Sequence, residues 1–202
     1  MSTAVIYCRV STPGQAEDGL GLEAQLDTCR GIVAEYGFDV AVRIGVLADS
    51  TLIARKLAPI RLAVVAHPNF WKHHGRPTGP EDLEQLTCLC YSNLPNFKLI
   101  SFWTPDGAEG AIAPSIRLLA SNGEFIREAA LEGLGFTVVP SFIIYEELQS
   151  GRLEEVLRDY AWSNMHLFAV YPPTRLLASR VRAFVDALVK SFADNPYWDT
   201  GR

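Results

Sequence analysis

Phe38-Asp39-Val40-Ala41-Val42-Arg43-Ile44-Gly45 (FDVAVRIG) is the stretch on which the reading of this chain turns. Phe38, Val40, Val42 and Ile44 alternate with Asp39, Ala41 and Arg43, the period of a strand with one buried face, and Gly45 closes it. Before it, Ala4–Val10 is an apolar run of strand length, broken by Ser11-Thr12-Pro13-Gly14. Leu22, Leu26, Cys29, Val33 and Tyr36 then recur at steps of four and three, one apolar helical stripe that Gly37 terminates. Strand, loop, helix and strand make a βαβ crossover, right-handed if the two strands are parallel.

After FDVAVRIG the pattern alternates between strands and helices. Leu52–Leu57 and Arg61–Ala66 are strand-like, Pro68–His74 is a short helix ended by Gly75, and Cys88–Ser92 and Leu99–Trp103 are short strands. Asn122 is placed to cap a helix ending at Gly133. Phe136–Val139 and Met165–Tyr171 are strands, and Thr174–Phe192 is a long helix with Leu177, Val181, Phe184, Val185, Leu188 and Phe192 on one face. Such alternation predicts α/β layers around a largely parallel sheet.

Bulk composition excludes several classes. Lys and Arg total 18 against 23 Asp and Glu, a net charge of −5, so the chain is a poor stand-alone binder of nucleic acid. No apolar run approaches the roughly 20 residues of a membrane span, and no secretory leader pattern opens the sequence. A reduced, cytoplasmic setting is expected. Cys88-x-Cys90 has no second ligand pair, so the thiols read as buried, and no cofactor or metal is implied. His73-His74 ends a short helix where its dipole favours positive charge. Glu146-Glu147 and Glu154-Glu155 fall in polar stretches and read as solvated faces, and the four tryptophans read as packing residues.

Two resemblances follow from particular residues. Tyr7-Cys8-Arg9-Val10-Ser11-Thr12, then Gln15 and Gly19-Leu20-Gly21-Leu22-Glu23-Ala24-Gln25, resemble the start of the serine recombinases. In that family the serine matching Ser11 attacks a DNA phosphodiester and the arginine matching Arg9 stabilises the phosphate. Nothing downstream matches the family's Asp-Arg-Leu-x-Arg-Ser type motif, so Ser11 reads as a loop hydroxyl and the chain as no enzyme. A recombinase fragment acting in DNA strand exchange is the alternative.

The remainder resembles the effector-binding domain of LysR-type transcriptional regulators. The matching residues include Gly37–Gly45, Asp49-Ser50-Thr51-Leu52, Gly75-Arg76-Pro77 with Pro80-Glu81-Asp82-Leu83, and Cys88–Ser92. They continue with Asn122-Gly123, Ala129–Gly135, Pro140, Gly151-Arg152-Leu153, Tyr171-Pro172 and Arg182–Asp186. The resemblance implies a two-lobed, periplasmic-binding-protein-like (type II) αβα domain that closes on a small organic effector, anionic or aromatic. Residues 1–36, 37–66 and 170–202 are expected to form the first lobe, truncated and completed by the resolvase-like strand and helix. Residues 67–169 are expected to form the second. Ser11, Thr12, Arg43, Ser92, Asn122, Gly123, Pro140 and Phe142 are the expected ligand contacts. A homodimer is possible by resemblance, and DNA is expected to be reached only through a winged helix-turn-helix domain that this sequence does not contain.

Overall fold

A computed structural model of the chain describes residues 6–10, 39–46, 53–94, 96–171, 179–192 and 196–199. In chain order the strands are β1 (Ile6–Val10), β2 (Val40–Gly45), β3 (Ile53–Pro59), β4 (Leu62–Ala66), β5 (Thr87–Tyr91) and β6 (Ile100–Trp103). Then come β7 (Glu109–Ile112), β8 (Ser115–Ala120), β9 (Thr137–Pro140), β10 (Glu154–Val156) and β11 (His166–Tyr171). The helices are α1 (Pro68–His74), α2 (Gly123–Leu131), α3 (Ser141–Gln149) and α4 (Ser179–Phe192), with 3-10 turns at Pro80–Gln85 and Tyr197–Asp199. The chain divides between Ile60 and Arg61 and again between Asn164 and Met165 into two compact units.

The first unit is built on a sheet in the order β1-β2-β11-β3. β1 runs parallel to β2, with Ile6 opposite Val40 and Arg9 opposite Arg43, the strand relationship of a βαβ unit. β11 is antiparallel to both β2 and β3, so the sheet is mixed rather than largely parallel. Val40 and Ala41 are both buried. Adjacent residues of a strand point to opposite faces, so both faces meet protein at this position, where the alternating pattern predicted an outward Ala41. Val181 and Val185, the central residues of the predicted α4 stripe, are buried, and Phe192 packs edge-on against Trp198. The predicted helix over residues 22–36 and the start of the long helix at Thr174 lie outside the described residues.

In the second unit β4 pairs antiparallel with β9 and β10, which is why it belongs here and not with β3. β5 pairs parallel with β8. A parallel bridge between Cys88 and Phe136 links the two ladders, held by Leu89 N–H to the Phe136 carbonyl (2.8 Å) and Phe136 N–H to the Thr87 carbonyl (3.0 Å). That approach requires a residue without a side chain at Gly135, since a Cβ there would stand 2.6 Å from the Thr87 carbonyl oxygen. The resulting order is β10, β4, β9, β5, β8, with β9, β5 and β8 running in one direction. Val64, Val65, Leu83, Leu89, Ile126, Phe136, Val138, Val139 and Ile144 form its fully buried core.

The acidic pairs correct the sequence reading. Glu147 and Glu155 are buried, not solvated. Glu155 lies on β10 and pairs with Arg61, with Arg158 at 3.6 Å; Glu147 lies on α3, 3.0 Å from Arg152 and 3.7 Å from Arg127. Each carboxylate loses water but meets guanidinium groups, which is the condition under which a buried charge is tolerated. Cys88 and Cys90 are buried on β5. The hydrogen bond that the Cys88 thiol donates to Cys90, together with burial, pushes it well above the ordinary range, so it stays protonated.

Candidate functional site

Three parallel strands of the second unit end on the same edge. β5 ends at Tyr91 and passes to Ser92, β8 ends at Ala120 and passes to Asn122, and β9 ends at Pro140 and passes directly into α3. Crevices outside the carboxyl ends of parallel strands gather helix N-termini, whose N–H groups and dipoles favour negative groups. Two nine-residue helices, α2 and α3, start here.

Most of the expected ligand residues of this unit fall on this edge. Asn122 is the cap of α2, its Oδ1 accepting from Phe125 N–H at 3.0 Å. Gly123 follows it, and a Cβ there would stand 2.5 Å from Cδ1 of Ile143, so its missing side chain serves the packing of α2 on α3. Ser92 is half-buried, and its N–H donates to the Ala120 carbonyl at 3.0 Å, holding the β5 and β8 ends together. Pro140 precedes α3 at the cap position, and α3 has no side-chain cap of the kind Asn122 provides. Phe142 is the second residue of α3 and is half-buried.

Arg43 lies on β2 of the first unit, half-buried, in register between Arg9 and Phe168. Ser11 and Thr12, expected as ligand hydroxyls or, for Ser11 with Arg9, as recombinase chemistry, lie outside the described residues. Among the described residues no group of three His, Cys, Asp or Glu side chains is arranged to hold a metal ion. No helix among them is long and apolar enough to cross a membrane.

One residue of the edge, Asn93, escaped the sequence reading. Asn93 donates from Nδ2 to the Ser121 carbonyl (2.9 Å) and to the Tyr91 hydroxyl (3.1 Å), tying the end of β5 to the turn before α2. Ser141, the first residue of α3, is fully buried, and its N–H donates to the Arg61 carbonyl at 2.9 Å. Asn93 lies in no motif, and the pairing of β5 with β8 brings it to the turn before α2. Elsewhere in the unit, a cavity of ≈ 310 Å³ lies between α1 and the end of α2, lined by His67, Asn69, Phe70, His73, His74 and Glu132 among others. Its imidazoles have structural work: His67 Nδ1 caps α1 by accepting from Asn69 N–H, and His73 Nδ1 bonds the Asn69 carbonyl.

Residues 20–193 match the family model of the LysR substrate binding domain. The chain belongs to that family. The match begins at residue 20, well inside the segment that resembles serine recombinases, and no comparison supports a resolvase-like unit there. Among curated proteins the chain is 31% identical over 162 residues to the HTH-type transcriptional regulator CrgA of Neisseria meningitidis, covering 80% of this chain and 54% of that protein. It is 30% identical to the HTH-type transcriptional regulator PtxR of Pseudomonas aeruginosa, covering 79% and 51%. The chain therefore spans about half the length of the curated relatives it matches.

Solved structures agree on the fold. The CrgA regulatory domain from Neisseria meningitidis superposes with a TM-score of 0.64 at 27% identity, over 93% of this chain and 98% of that one. The full-length virulence activator AphB of Vibrio cholerae superposes with a TM-score of 0.67 at 23% identity, over 92% and 66%. The α/β architecture of this LysR substrate-binding domain is thus that of the family's regulatory domains.

Proposed function

We propose that this LysR substrate-binding domain recognises a small organic effector, anionic or aromatic, and performs no catalysis. On the second unit the ligand contacts would be Ser92, Asn122, Gly123, Pro140 and Phe142 at its strand-end edge; Arg43 is the cationic contact proposed on the first unit. Ser11 and Thr12 complete the proposed set. The carrying observation is that β5, β8 and β9 end together where two helices begin, in a chain that matches a substrate-binding family over residues 20–193. An anionic group gains there from two helix N-termini, and Phe142 offers an aromatic face.

The proposal includes a place in gene regulation. The curated relatives are named as HTH-type transcriptional regulators, and they are about one and a half times as long as this chain. DNA contact would come from a helix-turn-helix domain other than the one matched here, in keeping with the net charge of −5. β1 beside β2 would complete the first unit's sheet, and a homodimer would be the working assembly.

A thermal-shift screen against small carboxylates and aromatic acids tests the reading. A ligand that binds the native state raises the midpoint by mass action. Several hits at sub-millimolar concentration support it. A silent screen, with titration calorimetry equally silent on the same compounds, would defeat it.

A further inference from the structure

We infer that the cavity between α1 and the end of α2 is a second binding site, for a small organic cation that carries N–H donors. It lies apart from the strand-end edge. α2 starts at that edge with its Asn122 cap and runs for nine residues, about 13 Å, before it reaches the cavity. The inference is therefore independent of what the edge binds.

The end of α2 is electrically incomplete. A helix C-terminus carries a partial negative charge and is stabilised by Lys, Arg or protonated His nearby. The last turn of α2 has no basic residue, and Glu132 at the C-cap position adds a carboxylate to the same end. Glu132 is exposed and makes no ion pair among the described residues. It lines the cavity of ≈ 310 Å³, and neither Lys nor Arg does. Two negative features stand at one helix end, and a bound cation relieves both.

The wall contributed by α1 adds an acceptor and a ring face. The Asn69 carbonyl can only accept, so His73 donates to it from Nδ1 at 2.6 Å and keeps a lone pair on Nε2. Phe70 and His74 stack with centroids 4.5 Å apart, and both line the cavity. The face of an aromatic ring such as that of Phe70 attracts a cation. Gly133, left-handed at φ +70°, holds the two walls together: a Cβ there would stand 3.8 Å from Cβ of His67, the cap of α1.

These groups choose the ligand. A carboxylate or phosphate would be repelled by Glu132 and by the helix end. A firmly held metal ion takes three or more protein ligands, and no such trio is arranged among the described residues. A cation without N–H groups would leave the carboxylate and the His73 lone pair without donors. An ammonium or guanidinium serves both, and its bond to the carboxylate is the stronger, charge-assisted kind. The volume is at the small end for ligand pockets, so the molecule that carries the cation is small.

The test is titration calorimetry of the 202-residue chain at low salt and pH 8, where imidazole is ordinarily uncharged. The probes are agmatine, 1,4-diaminobutane and n-butylamine, with tetramethylammonium as the cation lacking N–H and n-butanol as the neutral control. At least one N–H cation should bind about tenfold tighter than either control, the worth of one charge-assisted hydrogen bond. Glu132→Gln should cut that affinity about tenfold and, because it removes a negative charge from a helix C-terminus, should melt no lower than the wild type. NMR of the wild-type chain locates the site: the backbone amides of His74, Leu131 and Gly133 should shift with the bound cation, while those of Ser92 and Asn122 stay still. Affinity that survives Glu132→Gln, shifts at Ser92 and Asn122 instead, controls that bind as well as the N–H cations, or binding by zinc alone each overturns the inference. So does silence from every N–H cation, which leaves the effector reading of the strand-end edge untouched.

Discussion

Gly123 and Ile143 meet so closely that a Cβ on the glycine would stand 2.5 Å from the isoleucine Cδ1. The contact joins the first turns of α2 and α3, so the spacing of two helix N-termini depends on it. Gly123→Ala should destabilise the chain by about 1 kcal/mol, the lower end of overpacking costs, because the obstructing atom is the tip of a flexible side chain. Ile143→Val removes that Cδ1 atom. In the double variant most of the loss should return, measured as a coupling in a urea-denaturation cycle. Simple additivity would show that the glycine is needed for another reason.

Asn122 has two separable roles. Its side chain caps α2, and Asn122→Ala should cost about 1 kcal/mol in denaturant melts. Asn122→Asp keeps a capping acceptor and adds a negative charge at the helix start, so stability should hold while affinity for an anionic effector falls. If the Asp variant binds carboxylates as well as the wild type does, Asn122 is a cap and nothing more.

What the sequence disclosed and what it hid follow from how local each signal is. The Asn122 cap, the Pro68–His74 helix and the apolar stripe of α4 depend on neighbours within a few residues, and each was legible. Arg61 reaches Glu155 across 94 positions, so no window around Glu154-Glu155 could show that one of the two acids is buried against a guanidinium. The mixed sheet was hidden for a similar reason: strand direction is a property of pairing, and β11 reads the same whether it runs with β2 or against it. Asn93 is the clearest case. Its bond to the Ser121 carbonyl comes from the register of β8 and β5, and a turn such as Ser92-Asn93-Leu94 carries no trace of it.

The buried acid on β10 should matter far more than its exposed partner. Glu155 has a side chain only 3% exposed, while Arg158 is 63% exposed. Glu155→Ala leaves Arg61 half-buried without its carboxylate and should cost about 3 kcal/mol. Arg158→Ala removes an exposed cation and should cost about 0.5 kcal/mol or less. Equal losses for the two would mean that the pair is held by the surface partner.

Asp82 gives the second unit a pH dependence whose sign is fixed by its contacts. Its Oδ2 accepts from Thr78 N–H (2.8 Å), the Thr78 hydroxyl (2.9 Å) and Gly79 N–H (3.2 Å), tying the loop to the 3-10 turn at Pro80–Gln85. The Thr78 backbone bond first, then its hydroxyl and the Gly79 N–H, hold the carboxyl below its ordinary value of 3.8. A folded-state pKa lower than the unfolded one adds stability that is complete above the unfolded value and disappears as pH falls through the folded one. Wild type should therefore melt above Asp82→Asn at neutral pH, and the gap should narrow only below about pH 4. Melting curves of both proteins from neutral to strongly acidic pH read this directly. A gap that stays constant across that range would show that the ionised carboxylate does not hold this loop.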